Sequence, residues 1–589
     1  MGKTNWDLTY FYKDEPSFEA DLSKFRKRKD ELSSYKEKLG EEAKLAEYLR
    51  LYKQTNVELA HLYYYASMDS DLDKKDVKRS ERLSKVEYAI SELSEATSFD
   101  SPELLALGKE KIDSFIVSNP EFKEFSFFFD KLFKGADHVL SEDKERLLSA
   151  YSTLLGSAAD LYSQLTVADR EDEEIVLDGE KTKVTMANWT SLIKKAKTAE
   201  GRQKVFEALY SYYDKHKTAY AGIYNLSLQS QLAVKKSRGY KSILDTHLHG
   251  DAIPEGVFET LIEVASTNTA PLKEYYEIRR KALGLAKHRS YDRFLPLAES
   301  NRNYTYEEAK ETFFDSIKRF DADFQEKAHE VLKDGFVDVY PSSGKRTGAY
   351  SNGGYGLHPY ILLNFNGELN DVFTLAHESG HSIHTLYSEE SQPIMDQDYT
   401  IFVAEIASTF NEHNLLDYLL KQDDLSKDDK IFLLQKSIDE ICSTFYRQTL
   451  FAHFERDIAL LAEQGKPINY AVLNAKMREL YLSYYGIDIE EERLKPLVWA
   501  YIPHLFYTPF YVYQYATSFT SSLLLYEKVN NGEEGAFGRY IGLLRSGGSD
   551  YPVEQVRKAG VDLTSKEPFL AVIRRMEQLV EKLKDLLGQ

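Results

Sequence analysis

A chain of 589 residues, 42% hydrophobic and 29% charged, carries enough apolar mass for two to four structural units of roughly 150 residues and suits a protein that folds in water. Its formal charge of −20 leaves no basic face for nucleic acid, and runs such as KFRKRKD (24–30) interleave acids with bases as a solvated helix face does. The single cysteine, Cys442, excludes an intrachain disulfide and a thiolate-rich metal site.

The N-terminus lacks a basic start followed by an apolar run, and no stretch approaches the roughly 20 apolar residues that span a bilayer. The expected compartment is therefore the cytoplasm, with neither nucleic acid nor membrane as partner. The first 170 residues show helical periodicity, with Phe18, Leu22, Phe25, Leu32 and Tyr35 on one stripe. EEIVLDGEKTKVTMANW (173–189) breaks it: β-branched residues flank an Asp178-Gly179 turn, as in a short hairpin. That break is the expected boundary between an N-terminal helical domain, 1–190, and a catalytic domain, 191–589.

Helical pattern returns to about residue 336, with a capping box expected at Thr305 and Glu308. Glycine, serine, tyrosine and β-branched residues then dominate 335–370, so turns and a few strands are expected there. In HPYILLNF, Ile361, Leu363 and Phe365 alternate with Tyr360, Leu362 and Asn364. Beyond Asn366-Gly367 a further helix is expected, capped by Asn370 or Asp371. The remainder is helical except near RSGGSDYP. The fold class is mainly α, with a small sheet beside the helix that follows.

That helix carries TLAHESGHSIHT (374–385). At about 100° per residue, His381 falls about 40° from His377, so both rings can meet one ion. Glu378 lies about 100° round, where a carboxylate can take the proton of a metal-bound water. The alternative is an accident on a polar helix face. Against it stand the preceding turn and the apolar residues Val372, Phe373, Leu375 and Ala376. Gly380 costs about 1 kcal/mol in a helix interior relative to alanine, which suggests close approach of another backbone.

A catalytic zinc site wants a third protein ligand and one open position. His384 sits about 10 Å along the helix from His377, too far to serve. The metzincin pattern also fails, because His384 and Tyr387 stand where its glycine and third histidine belong. The next helix, YTIFVAEIASTFNEHNLLDYLL (399–420), places Glu405 and Glu412 among apolar neighbours that make an unpaired carboxylate costly. Two exposed acids at helical spacing would be the plainer reading. The expected site is one zinc on His377, His381 and Glu405, with Glu378 as base and Glu412 orienting a ligand histidine.

HESGHSIHTLYS followed by FVAEIASTFNEHNLL resembles oligoendopeptidase F and, more distantly, thimet oligopeptidase. NWDLTYFY, GKRTGAYS, HPYILLNFNG and LRSGGSDYPVEQVRKAGVDL agree, so the resemblance spans essentially the whole chain. It implies a mainly helical zinc endopeptidase in which two helical walls enclose a deep channel, and cleavage of oligopeptides rather than folded proteins. By motif it carries the ligands onto His377, His381 and Glu405 and the acid/base onto Glu378. YIPHLFYTPFYVYQYATS (501–518) matches a substrate-binding, oxyanion-stabilising segment through His504. A helix from Pro509 would put Tyr511 and Tyr515 on one face and Tyr513 elsewhere. The spacing after His504 is longer by two than in thimet-type members, a further tyrosine of theirs falling at Ser518, so Tyr507 stays an alternative. HPYILLNF is expected to pair with an extended peptide.

Two other functional classes fit these residues less well. A metal- or peptide-binding protein without catalysis would not need Glu378. A nucleotide site at SSGKRT or SNGGYG lacks the glycine five positions before Gly344, has Arg346 in the Ser/Thr position, and opens no helix. The expected partners are oligopeptide substrates, and a monomer is compatible with all of this.

Overall fold

The structure is a computed structural model that describes residues 3–489 and 491–589. It is mainly helical, and the chain divides into two compact units that each draw on three segments. The first comprises Met1–Asp137, Arg302–Lys421 and Leu525–Val561; the second comprises His138–Asn301, Gln422–Leu524 and Asp562–Gln589.

In the first unit the N-terminal stripe goes inside, but as two helices, Glu15–Phe25 and Arg28–Ser33. Phe18, Leu22 and Phe25 join a core with Trp6, Phe11 and Tyr360, while Leu32 joins another with Leu45, Tyr48 and Phe122. The expected capping box forms in full: Thr305 Oγ1 accepts from Glu308 N, and the Glu308 carboxylate accepts from Thr305 N.

The second unit holds the expected hairpin, β1 (Glu174–Leu177) against β2 (Glu180–Lys183), antiparallel across the Asp178-Gly179 turn. The first unit holds a three-stranded sheet of β3 (Val337–Asp338), β4 (Tyr350–Gly354) and β5 (Leu357–Leu362), in the order β3-β5-β4. β5 pairs parallel with β3 and antiparallel with β4, Ser351 facing Ile361 and Asn352 facing Tyr360. HPYILLNF thus supplies the central strand, and both of its faces are buried, from Tyr360 through Leu363. Its edges are already paired, which leaves β3 and β4 as the outer strands of the sheet. The NWDLTYFY segment closes on this sheet, Trp6 Nε1 donating to Ile361 O at 2.8 Å.

Lys345 of the GKRTGAYS stretch is buried on Asp338 Oδ1 at 2.5 Å and on Tyr340 O at 2.8 Å. Its ammonium is committed to the loop and not offered to a phosphate. Among the described residues no helix is long and apolar enough to cross a membrane.

Candidate metal centre and active site

The motif helix runs Leu369–Ser391, its cap falling a little before the expected Asn370 or Asp371. Glu368 is the capping residue, and the Asp371 carboxylate accepts from the backbone N–H groups of Asn366 and Glu368 at 2.8 and 3.0 Å. The partner helix runs Ile401–Leu419. A Cβ on Gly380 would lie 2.5 Å from Ala407 O and 2.6 Å from Ser408 Cα. The glycine therefore admits the second backbone at a distance that any side chain forbids. Asn411 Nδ2 ties the same two helices, donating to Ala376 O at 3.1 Å.

This contact brings Glu405 to the histidines. His377 Nε2 lies 3.2 Å from His381 Nε2 and 3.3 Å from Glu405 Oε2, and His381 Nε2 lies 3.5 Å from the same oxygen. One ligand atom from each residue falls within 4.8 Å of the others. Glu412 Oε1 stands 2.6 Å from His377 Nδ1. A carboxylate only accepts, so Nδ1 carries a proton, and once the ring gives up its other proton to make way for a metal, Nε2 is the atom whose lone pair faces the cluster. Two imidazole nitrogens and a carboxylate oxygen turned toward one point are the donor set of a catalytic zinc site. Ser408 Oγ donates to Glu405 Oε2 at 3.1 Å and fixes the third ligand.

The electrostatics of the bare side chains agree. Burial alone would lower His377, but the carboxylates of Glu405 and Glu412 outweigh it and hold the ring well above its ordinary value. Burial would raise Glu405, yet hydrogen bonds from His377 and His381 hold it far below the usual carboxylate range. Glu378, 6% exposed, is raised by burial, with the two histidines opposing. A positive centre is what this crowd of acceptors lacks.

A cavity of about 440 Å³ opens onto the cluster, lined by His377, Glu378, His381 and Glu405, by β4 with its continuation to Tyr355, and by Asp398 and Tyr399. Ser351 on β4 hydrogen-bonds Ser382 on the motif helix at 2.8 Å, which sets the strand beside the ligands. His384 is no ligand. Its ring stacks on Tyr399 at 3.6 Å, and burial pushes it down to about 3.

Tyr399 was not singled out from the sequence, although it forms part of the cavity wall and its hydroxyl pairs with Thr385 at 3.2 Å. Its loop is braced by the RSGGSDYP stretch: Gly548 N donates to Asp396 O at 2.7 Å, and a Cβ on Gly548 would sit 2.0 Å from Asp398 O. The paired glycines were the available signal.

Within the second unit, His504, Tyr511 and Tyr515 gather. The His504 and Tyr511 rings lie parallel at 5.9 Å, Tyr511 and Tyr515 meet at 5.4 Å, and Tyr515 Oη is 3.4 Å from His504 Nε2. The helix begins at Tyr513 and not at Pro509, because Phe510 takes a left-handed φ of 57° and gives its N–H to the buried Glu455 carboxylate at 2.7 Å. Tyr513 points away, its ring against Phe258 at 5.1 Å. Tyr507 is 45% exposed and packs edge-on to Tyr162, and Ser518 is fully buried.

The model of peptidase family M3 matches residues 192–575, and that of the N-terminal segment described as oligopeptidase F matches residues 103–171. The chain belongs to peptidase family M3.

The similarity to individual oligopeptidases runs over most or all of each chain. The group B oligopeptidase PepB of Streptococcus agalactiae is 33% identical over 100% of this chain and 98% of its own. Oligopeptidase PepF of Bacillus subtilis is 33% identical over 99% of this chain and 87% of its own. The crystal structure of oligoendopeptidase-F from Enterococcus faecium superposes with a TM-score of 0.78 at 26% identity, covering 98% of this chain and 99% of that one. Family membership and the three-donor cluster together make this M3 member a zinc-dependent metalloendopeptidase with one metal site.

Proposed function

We propose that the protein hydrolyses internal bonds of short to medium oligopeptides, with His377, His381 and Glu405 holding the zinc and Glu378 as the general base. The observation that carries this reading is the meeting of three donor atoms beside a buried carboxylate, at the wall of a cavity whose other side is a strand edge. Zinc bound there supplies a Lewis acid that polarises a carbonyl and acidifies a water molecule.

Glu378 takes the proton of the attacking water on its carboxylate and delivers it to the leaving amine. Its burial favours the protonated form that this second step needs. Glu412 keeps the His377 ring turned. β4 offers its backbone to an extended peptide, so affinity comes from main-chain hydrogen bonds and sequence preference stays weak. By the family resemblance His504, Tyr511 and Tyr515 are the candidate oxyanion donors, one such donor being worth about 2.7–4 kcal/mol.

The sequence division into 1–190 and 191–589 is retained as a functional one, supported by family matches that fall on either side of the hairpin. A cytoplasmic location completes the reading, and the lone, buried Cys442 is compatible with a reducing compartment. The test is digestion of a mixture of short to medium oligopeptides by zinc-loaded protein, with products identified by mass. Internal cuts confined to peptides are expected. Stepwise loss of terminal residues, or equal cleavage of a folded protein, would contradict the proposal.

A further inference from the structure

The cavity of about 440 Å³ beside the metal ligands has a wall that proton transfer and metal binding do not use. Tyr64, Tyr355 and Asp398 line it, and all three belong to the first unit. Tyr64 comes from the helix Glu42–Leu72, Tyr355 from the turn between β4 and β5, and Asp398 from the loop before the helix Ile401–Leu419. Asp398 stands outside the group of zinc donors.

Each piece is held in place. Tyr64 Oη reaches the turn, since a Cβ on Gly354 would lie 3.3 Å from it. Tyr355 keeps a left-handed φ of 57°, a costly conformation for a bulky residue. Glu389 on the motif helix pins the same turn by accepting from Gly356 N at 3.1 Å. The loop is fixed on both sides of Asp398: Ser388 Oγ donates to Gln397 O at 2.5 Å, and Tyr399 Oη pairs with Thr385 Oγ1 at 3.2 Å.

The polar atoms of this wall are left open. Asp398 is exposed where it lines the cavity. Among the described residues none makes a hydrogen bond or ion pair with its carboxylate, or a hydrogen bond with the hydroxyl of Tyr64 or Tyr355. The cation whose field reaches Asp398 is Lys131, and that ammonium lies over the Phe127 ring, 5.3 Å from its centre. Burial raises Tyr64, Tyr355 and Tyr399, and the Asp398 charge raises all three further, as a carboxylate set among them does.

A carboxylate partly withdrawn from water gains most from a charged hydrogen-bond donor. Phenol oxygens accept further N–H groups, and tyrosine rings attract a cation. A neutral side chain gains none of this, and an acid is repelled.

We propose that Asp398, with the Tyr64 and Tyr355 hydroxyls, forms a subsite of the cleft for a cationic group of the bound peptide, an ammonium or guanidinium. The proposal rests on the endopeptidase reading and adds a preference to it. A Lys or Arg side chain and the peptide's own α-ammonium are the two sources of that chemistry.

The test uses zinc-loaded, full-length protein and internally quenched peptides that carry Lys, norleucine or Glu at one position, scanned along both sides of the cleaved bond. Each peptide is made with a free and an acetylated N-terminus. At one position kcat/KM for Lys should exceed that for norleucine by about tenfold, with Glu below both. Asp398→Asn should bring the Lys-to-norleucine ratio to about one, and the charge-keeping Asp398→Glu should retain a preference. A preference for Lys in acetylated peptides assigns the subsite to a side chain; a preference for the free amine, lost in Asp398→Asn, assigns it to the N-terminus. Variants are checked by circular dichroism and zinc content, and Asp398→Ser carries the comparison if Asp398→Asn does not fold. Calorimetric binding of the same peptides to Glu378→Gln, with and without Asp398→Asn, reads the preference without cleavage. No internal cleavage by the wild type, with the cationic preference present in binding, would refute the endopeptidase reading and keep the subsite. Absence of any cationic preference, or a preference unchanged in Asp398→Asn, would overturn the subsite.

Discussion

Replacing Gly380 with alanine should loosen the metal site without touching a ligand. The added Cβ would meet Ala407 O at 2.5 Å, Ser408 Cα at 2.6 Å and Ala407 C at 2.8 Å, where ordinary contact begins at 3.4 Å. All three are backbone atoms, so no side chain can swing aside, and the helices must part by about 0.9 Å at that point. Overpacking of this kind costs about 1–3 kcal/mol, set against about 1 kcal/mol gained from alanine's helix propensity. Glu405 precedes Ala407 by two residues on the same helix and moves with it, whereas zinc–ligand distances tolerate about 0.2 Å. Zinc affinity measured by competition with a chromogenic chelator should fall at least about tenfold, with a lower Tm for the zinc-free protein. Wild-type affinity together with wild-type Tm would refute the close approach as the device that positions Glu405.

Other perturbations separate the remaining roles. Glu412→Ala should weaken zinc binding by about 10- to 100-fold while Glu378 and the cavity stay in place, because His377 loses the partner of its Nδ1–H; chelator competition reads this. Tyr515→Phe should lower kcat by about 10²–10³ at unchanged zinc content, and Tyr513→Phe should leave kcat alone because that hydroxyl faces away, so equal effects in steady-state assays would count against the assignment. Burial pushes Glu455 up to about 8, above the 4.5 of a free glutamate. Its contribution is therefore fully present below pH 4.5 and is lost as pH rises toward 8, on the order of 4–5 kcal/mol at 1.36 kcal/mol per unit. In Glu455→Gln, Tm measured from pH 5 to 8 should fall less steeply than in the wild type, and parallel slopes would refute the linkage.

Local rules read the metal helix well because its information is local. Helical periodicity alone sets His377 and His381 on one face and carries His384 out of reach. The costly Gly380 announced a close backbone, and the acids among apolar residues at 402–410 announced Glu405 and Glu412. What escaped depends on residues distant in sequence. The helix after Pro509 starts late because Glu455, 55 residues earlier, captures the N–H of Phe510. HPYILLNF alternates as a half-exposed strand would, yet β3 and β4 flank it and Trp6 closes over it. The interleaving of three segments in each unit has no local signature. Tyr399 was hidden among 42 tyrosines until its stack on His384 gave it a place.

The central claim, one zinc on His377, His381 and Glu405 with Glu378 moving the proton, is tested most directly by Glu378→Gln. Metal content and cleavage of an internally quenched oligopeptide are measured on the variant beside the wild type. One zinc per chain is expected in both proteins, with cleavage lost from the variant alone, by at least about 10²-fold. Cleavage by the variant at the wild-type rate, or a wild-type protein active without bound metal, would contradict it.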